Sequence, residues 1–234
     1  MPDQPAVKAP AKGEPEAPKT KSEATRARII SAALDLFRER GFEAATMREI
    51  ASRAGVALGA AYYYFDSKDS IVLAFYDQAQ SDMAPRIEKA LSATKDLKVL
   101  LDRIISVKLE YFESSRAFLG ALSGHADPEK PLSPFSPQTR AIRERDIEFF
   151  ERALSAGRAR IPEDLRPALP RILWMYQMGV VLFWIYDRSP EQRRTRALLD
   201  QSLRLVVTLI KLSGLPLMRP LRRLVIELVA SITE

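Results

Sequence analysis

The spacing of apolar side chains constrains the fold of this chain more than any other feature of its sequence. Beyond residue 21 these side chains recur every three or four positions, and no segment sustains the alternation of apolar and polar residues that is typical of a strand. With 47% apolar residues among 234, the chain is able to bury a substantial core. We therefore predict an all-α fold.

The helical pattern divides the chain into a tail, a small head and a larger body. Residues 1–21 are rich in Pro, Ala, Lys and Glu, which predicts a disordered tail. Residues 22–68 form the predicted head and residues 69–234 the predicted body, with a Pro-rich loop over 128–137. Helices are predicted over 25–40, 46–55, 58–65, from 66 or 67 onward, 96–113, 116–124, 137–156, 167–186, 191–212 and 216–232.

Composition argues against several classes of protein. Cysteine is absent, which excludes thiolate metal sites and cysteine nucleophiles. His125 is the only histidine, so a zinc site or a Ser-His-Asp triad would have to depend on this one residue. No glycine loop for phosphates and no nucleophile motif is present. We therefore expect no enzyme activity, no metal and no cofactor.

Charge and hydropathy point to a basic, cytoplasmic protein. The net charge of +6 and pI of 9.6 suit a polyanionic partner such as DNA or a membrane surface. Residues 1–21 lack the apolar stretch of a secretory signal, and the most apolar run, 172–186, is shorter than the roughly 20 residues of a membrane-spanning helix. We therefore predict no membrane partner.

The head contains a sequence pattern for two helices joined by a tight turn. Thr46 and Glu49 match a capping box, in which each side chain accepts a hydrogen bond from the other residue's backbone N–H. Gly55 follows the second helix closely, and a third short helix begins near Leu58. Three helices with a tight glycine turn before the third predict a helix-turn-helix, whose last helix enters the major groove of DNA.

Side chains in this segment suit DNA contacts of two kinds. The Arg48 fork is able to pair with guanine O6 and N7, while Leu58 and Ala60 suit thymine methyl groups. Tyrosine hydroxyls and the Lys68 ammonium suit phosphate oxygens. The alternatives are that Arg48 and Lys68 are solvated surface residues and that the tyrosines contribute to packing.

The residues from 25 to 76 resemble the DNA-binding domain of the TetR family of bacterial repressors. The resemblance rests on Ala33-Leu34-Asp35-Leu36-Phe37, Gly41-Phe42, Thr46-Met47-Arg48-Glu49-Ile50-Ala51, Ala54-Gly55-Val56, Gly59, Tyr62, Tyr64-Phe65 and Ser67-Lys68. It implies a homodimer that binds a palindromic operator and is released by a small molecule. By position, it implies base contacts for Arg48, Leu58, Gly59, Ala60 and Tyr62, and phosphate contacts for Thr46, Tyr63, Tyr64 and Lys68.

One departure from the family pattern concerns the third helix. Family members often have Ser or Thr where this chain has Ala57, so the helix is expected to lack a side-chain N-cap.

In the body, polar and aromatic residues within apolar helices are candidates for a ligand pocket. These candidates are Tyr111, His125, Trp174, Gln177 and Trp184. The alternative is that the aromatic side chains only pack in the core.

The family resemblance also implies a dimer interface over 167–186 and 191–212, which would pair with their symmetry mates. Leu199, Leu203, Val206 and Ile210 form one apolar stripe there, and the alternative is that this stripe packs within one subunit. The helix over 216–232 has no role that we derive from sequence, and its Arg219, Arg222 and Arg223 are interpreted as a solvated face.

The leading hypothesis is a repressor that a small-molecule effector releases from DNA. An activator, or a regulator without an effector, is compatible with the same residues. A non-specific architectural DNA-binding protein is a second class, because the start of the third helix offers few hydrogen-bonding side chains. An enzyme and a membrane-surface protein are further alternatives, and no motif favours either.

Overall fold

The computed structural model describes residues 20–122 and 127–231, and within these ranges the regular elements are all helices. This confirms the all-α prediction. The α-helices are α1 (Lys21–Arg40), α2 (Met47–Ala54), α3 (Leu58–Tyr64), α4 (Lys68–Ala93), α5 (Leu97–Phe112), α6 (Arg116–Leu122), α7 (Arg140–Ala156), α8 (Leu169–Tyr186), α9 (Arg193–Leu212) and α10 (Arg219–Ser231). Apart from Thr20 and Lys21, the predicted tail lies outside the described residues.

Side-chain caps determine where the head helices begin. Thr46 Oγ1 accepts a hydrogen bond from the Glu49 backbone N–H at 3.3 Å, and Glu49 Oε2 accepts from the Thr46 N–H at 3.0 Å, which confirms the predicted capping box. Thr20 and Glu23 form a second box, so α1 begins at Lys21 rather than at the predicted residue 25. Ala57 precedes α3 without a side-chain cap, as expected.

The turn between α2 and α3 depends on the conformation of Gly55. Its φ of 66° lies in the left-handed region, where residues with a Cβ are disfavoured. The Gly55 N–H donates to carbonyl oxygens at the end of α2, which satisfies the last turn of that helix. α3 therefore begins only four residues after α2 ends.

Two apolar clusters form the core, and α4 contributes to both. The head cluster contains the buried side chains of α1, α2 and α3 together with Ile71 and Phe75 of α4 and Phe118 of α6. The body cluster contains Met83 and Ile87 of α4 and the buried side chains of α5, α7, α8 and α9. One continuous helix therefore links the two cores. The domain boundary between residues 68 and 69 stays a prediction.

Several body helices begin later than predicted. α9 begins at Arg193 rather than at residue 191, because Glu191 and Gln192 have positive φ angles of 52° and 48°. α7 begins at Arg140 rather than at residue 137. The segment before it consists of turns held by buried hydroxyls, such as Thr139 Oγ1, which donates to the Ser133 carbonyl at 2.7 Å.

α10 packs on the body along one edge only. Arg222, which the sequence places on a solvated face, instead binds the Asp164 carboxylate at 3.0 Å and donates to the Ser213 carbonyl. This part of the interpretation was wrong, because the turn at Leu215–Pro216 folds α10 back toward the loop that carries Asp164. Leu217, Leu221, Leu224 and Leu228 remain exposed. None of the described helices combines the length and apolarity needed to cross a bilayer.

Candidate functional site

The exposed face of α3 is the first candidate site. Ala61 is fully buried in the head cluster and Phe65, just after the helix, is 4% exposed. Tyr62 and Tyr63 point away from this core, with 51% and 84% of their surface exposed. Gly59 is exposed as well, and a Cβ at this position would meet no atom within 4 Å. The face therefore presents two phenol rings beside a stretch with little side-chain bulk.

Arg48 differs from the neighbouring arginines of the head. It is exposed at the second position of α2, and no hydrogen bond or ion pair joins its side chain to the described residues. By contrast, Arg40 binds Glu49 at 2.7 Å and Arg53 binds Glu39 through two hydrogen bonds. Bonding to Arg53 also lowers the pKa of the Glu39 carboxyl. Arg48 is thus available to an external anion without breaking an existing ion pair.

Several of the other predicted DNA-binding residues also have structural roles. Thr46 caps α2, while Leu58 and Tyr64 pack against the head cluster and Ala60 is half-buried. The Lys68 ammonium donates to the carbonyl oxygens of Phe42 at 2.7 Å and Glu43 at 3.1 Å. Lys68 therefore ties the start of α4 to the turn after α1. DNA contact by any of these residues stays a prediction.

A cavity of about 430 Å³ in the body is the second candidate site. It lies among α4, α5, α6, α7, α8 and the turns before α7, and its wall is mostly apolar. Trp174 and Trp184, the only tryptophans of the chain, both line it. The polar lining residues are Tyr76, Gln80, Lys108, Thr139 and Arg143. Such a volume and lining are typical of sites for small apolar molecules.

A buried carboxylate organises one wall of this cavity. Asp146 of α7 forms an ion pair with Lys108 of α5, and both side chains are 9% exposed. Gln80 Nε2 donates to Asp146 Oδ1 at 2.7 Å, and Gln177 Nε2 lies 3.4 Å from Asp146 Oδ2. The carboxylate thus accepts from three side chains on three different helices, α4, α5 and α8.

The predicted ligand-binding residues separate into three groups. Trp174 and Trp184 line the cavity. Gln177 is fully buried behind the wall, and Tyr111 donates to the Asp82 carboxylate at 2.7 Å without lining the cavity. His125 lies outside the described residues. Ligand binding by these five residues stays a prediction.

Family models match both parts of the chain. The model described as "Bacterial regulatory proteins, tetR family" matches residues 29–75. The model described as "Tetracyclin repressor-like, C-terminal domain" matches residues 100–228, which is more than half of the chain. The chain belongs to the TetR family. The helix-turn-helix head and the helical body are therefore the two domains that characterise this family.

Curated relatives match over less than half of this chain. The transcriptional repressor KstR2 of Rhodococcus jostii is 29% identical over 92 residues, which cover 39% of this chain and 45% of the relative. The transcriptional activator FasR of Mycolicibacterium smegmatis is 30% identical over 106 residues, covering 45% of this chain and 48% of FasR. The matched segment therefore spans less than half the length of each relative.

Solved structures match over most of the chain. FadR of Bacillus subtilis in complex with stearoyl-CoA has a TM-score of 0.61 at 21% identity, covering 77% of this chain and 97% of FadR. FadR of Thermus thermophilus in complex with lauroyl-CoA has a TM-score of 0.57 at 23% identity, covering 78% and 93%. At these identities the likeness extends to the TetR fold alone.

Sequence reasoning missed the polar residues of the cavity. Lys108 and Asp146 both occupy the apolar face of their helices, at positions where Ile104 and Phe150 are buried one turn away. A charged residue at such a position is seldom buried without a partner. Opposite charges on the apolar faces of two different helices therefore indicate a buried ion pair, and this was the sequence signal available in the body of this TetR-family chain.

Proposed function

We propose that this chain is a homodimeric, sequence-specific DNA-binding repressor that a small-molecule effector releases from a palindromic operator. The exposed face formed by Arg48, Tyr62 and Tyr63 carries the proposal. These side chains lie on the two helices of a helix-turn-helix, and the nearby Arg40 and Arg53 are ion-paired. An unpaired guanidinium and two phenol hydroxyls suit a base edge and phosphate oxygens.

Exposed apolar side chains on α8 and α9 support the dimer. Leu199, Leu203 and Ile210 of the predicted stripe are buried inside one subunit, which is the alternative stated for them. A neighbouring face of α9 instead exposes Leu198, Leu205, Leu209 and Leu212, and α8 exposes Leu182, Phe183 and Tyr186. Two adjacent helices with such faces suit pairing about a two-fold axis, as a palindromic operator requires.

The position of α4 supports coupling between effector and DNA. Tyr76 and Gln80 line the cavity from the same helix whose first residue, Lys68, holds the turn before α2. An effector that binds more tightly to one arrangement of α4 would shift the population of head orientations. The complexes of the two FadR structures with acyl-CoA molecules support a ligand-binding role for a body of this fold.

Selection of bound sequences from random DNA duplexes tests the proposal. We expect a palindromic motif for the wild type. Loss of a base contact in Arg48→Ala should weaken binding by about 1–3 kcal/mol and relax preference at one position of each half-site. Loss of a phosphate contact in Tyr63→Phe should weaken binding to all DNA sequences by the same factor.

Arg219→Ala is the matched control, because it removes an exposed arginine of α10 far along the chain from the head. It should leave the selected motif and its affinity unchanged. Binding with a steep salt dependence but no enriched motif would contradict the proposal and favour an architectural DNA-binding protein.

A further inference from the structure

The cavity contains a polar corner formed by Tyr76 and Gln80 of α4 and Lys108 of α5. Residues 76 and 80 are four positions apart, so their side chains lie on the same face of α4. Gln80 and Lys108 share a partner, because both donate to the carboxylate of Asp146. As whole residues, Gln80 is 5% exposed and Lys108 is 7% exposed, so these two members of the corner are shielded from solvent.

The charges of this corner already compensate each other. Lys108 supplies one positive charge and Asp146 one negative charge, beside a cavity whose wall is mostly apolar. A ligand carboxylate placed here would compete with Asp146 for the same ammonium, and the two carboxylates would repel each other. A ligand ammonium would likewise be repelled by the ammonium of Lys108 and would compete with it for Asp146. The corner therefore favours a group without charge.

The remaining cation of the wall is held elsewhere. Arg143 donates through Nη1 to the carbonyl oxygens of Pro134 at 2.7 Å and Ser136 at 3.3 Å. Its guanidinium also lies 5.9 Å from the centre of the Trp174 ring. Arg143 thus interacts with the turns before α7, and it is the one group of the wall that would favour an anion.

The corner also has unused hydrogen-bonding capacity. Gln80 Oε1 is buried and has no hydrogen-bond partner in the part of the chain that the structure describes. Among the same residues, the Tyr76 hydroxyl has no partner, and the Lys108 ammonium donates to Asp146 alone. The corner therefore offers one group that only accepts, the Gln80 oxygen, beside the Lys108 ammonium, which only donates, and the Tyr76 hydroxyl, which does both. An anion would use the donors but leave the Gln80 oxygen unsatisfied.

We propose that the cavity binds a neutral, largely apolar molecule whose hydroxyl or amide group hydrogen-bonds to Gln80, Lys108 and Tyr76. Such a group both donates and accepts, so it satisfies the carbonyl oxygen and the donors together. The apolar remainder of the molecule packs against the aromatic and aliphatic wall. The inference deepens the proposed function, since it assigns a chemical class to the effector.

Intrinsic tryptophan fluorescence measures binding directly, because both tryptophans line the cavity. The probes are decanol, decanoate and decanoyl-CoA, which share one chain length and differ in head group. At about pH 8 decanoate is ionised, and we expect decanol to bind at least about tenfold more tightly. Equal or tighter binding of decanoate or decanoyl-CoA, or no fluorescence change with any probe, would overturn the proposal.

Two glutamine variants separate ligand contact from folding. Gln80→Met and Gln177→Met each remove one amide from Asp146, but only Gln80 lines the cavity. We expect Gln80→Met to weaken decanol binding by about tenfold and Gln177→Met to change it by less than about twofold, although both lower the melting temperature. Equal losses of affinity in the two variants would contradict a direct contact.

Operator release is measured separately, by fluorescence anisotropy of a labelled duplex. Decanol that binds in the cavity without changing operator affinity would refute the effector role and leave the assigned ligand class intact. Absence of binding together with normal operator affinity would refute the ligand class and leave DNA recognition intact.

Discussion

The head and the body of this protein bury different kinds of side chain. From Thr20 to Tyr76 the buried side chains are apolar, whereas the body buries a lysine, two aspartates and two glutamines among its apolar residues. The head has capped helices around a filled core, which suits a rigid unit that presents Arg48 and Tyr63 to a partner. The body has a cavity beside a buried polar network, so a bound ligand would contribute to the stability of one arrangement of the body helices. The filled core of the head and the partly empty core of the body thus place rigidity and adaptability in different domains of one TetR-family protein.

The largest expected effect comes from breaking the buried ion pair of the body. Asp146→Ala leaves the Lys108 ammonium buried without its carboxylate, together with the donors of Gln80 and Gln177. We expect a loss of about 3–5 kcal/mol in the free energy of unfolding, measured by urea denaturation. The double variant Lys108→Met, Asp146→Leu should recover most of this loss. A loss below about 1 kcal/mol in the single variant would mean that the network is not stabilising.

A somewhat smaller effect is expected from truncation in the filled core of the head. Ile50 is fully buried, so Ile50→Ala should create a new void and lower the free energy of unfolding by about 2–5 kcal/mol. Ile142 is half-buried and already borders the cavity, so Ile142→Ala should cost less than half as much. Equal losses of unfolding free energy in the two variants, measured by urea denaturation, would contradict the contrast between a filled head core and a body core with internal space.

Each helix cap in the head should contribute about 1 kcal/mol to the free energy of unfolding. Thr46→Ala removes the capping box of α2 and should lower the free energy of unfolding by that amount. Ala57→Ser adds the side-chain cap that α3 lacks, so it should raise stability. It should also tighten operator binding slightly if the start of α3 faces phosphate. Arg223→Ser, on the exposed side of α10, is the control and should change neither quantity.

The smallest effect is a pH dependence at the turn between α8 and α9. Burial raises the pKa of the Asp187 carboxyl, but hydrogen bonds from Ser189 and Thr195 outweigh it and hold the pKa below its usual range. A lowered folded-state pKa means that the carboxylate stabilises the fold above about pH 4 and loses this contribution as the pH falls. We expect Asp187→Asn to be less stable than wild type at neutral pH, with the gap narrowing in acid. A gap in the urea midpoint that stays constant with pH would contradict this role.

Much of the head was predictable because its signals are local. The capping box of Thr46 and Glu49, the turn at Gly55 and the missing cap at Ala57 each involve residues within four positions of one another. Such contacts form within a single helix or turn, and therefore depend little on the rest of the fold. The start of α1 was placed too late because the second box, Thr20 with Glu23, lies inside the segment assigned to the tail.

The body was harder to predict because its decisive contacts join distant residues. Periodicity alone did not distinguish the buried stripe of Leu199 and Leu203 from the exposed leucines beside it, since two neighbouring faces of α9 are apolar. Arg222 was interpreted as solvated because its partner Asp164 is 58 positions away.

Residue spacing and contacts within a few positions are enough to predict the helical class, most helix positions and the resemblance of the head to a DNA-binding domain. Three features emerge only when the helices pack: Lys108 pairs with Asp146, Gln80 rather than Gln177 borders the cavity, and Lys68 donates to backbone carbonyls. Burial and hydrogen bonding of a polar group depend on which helices pack around it, and residue spacing alone does not specify this.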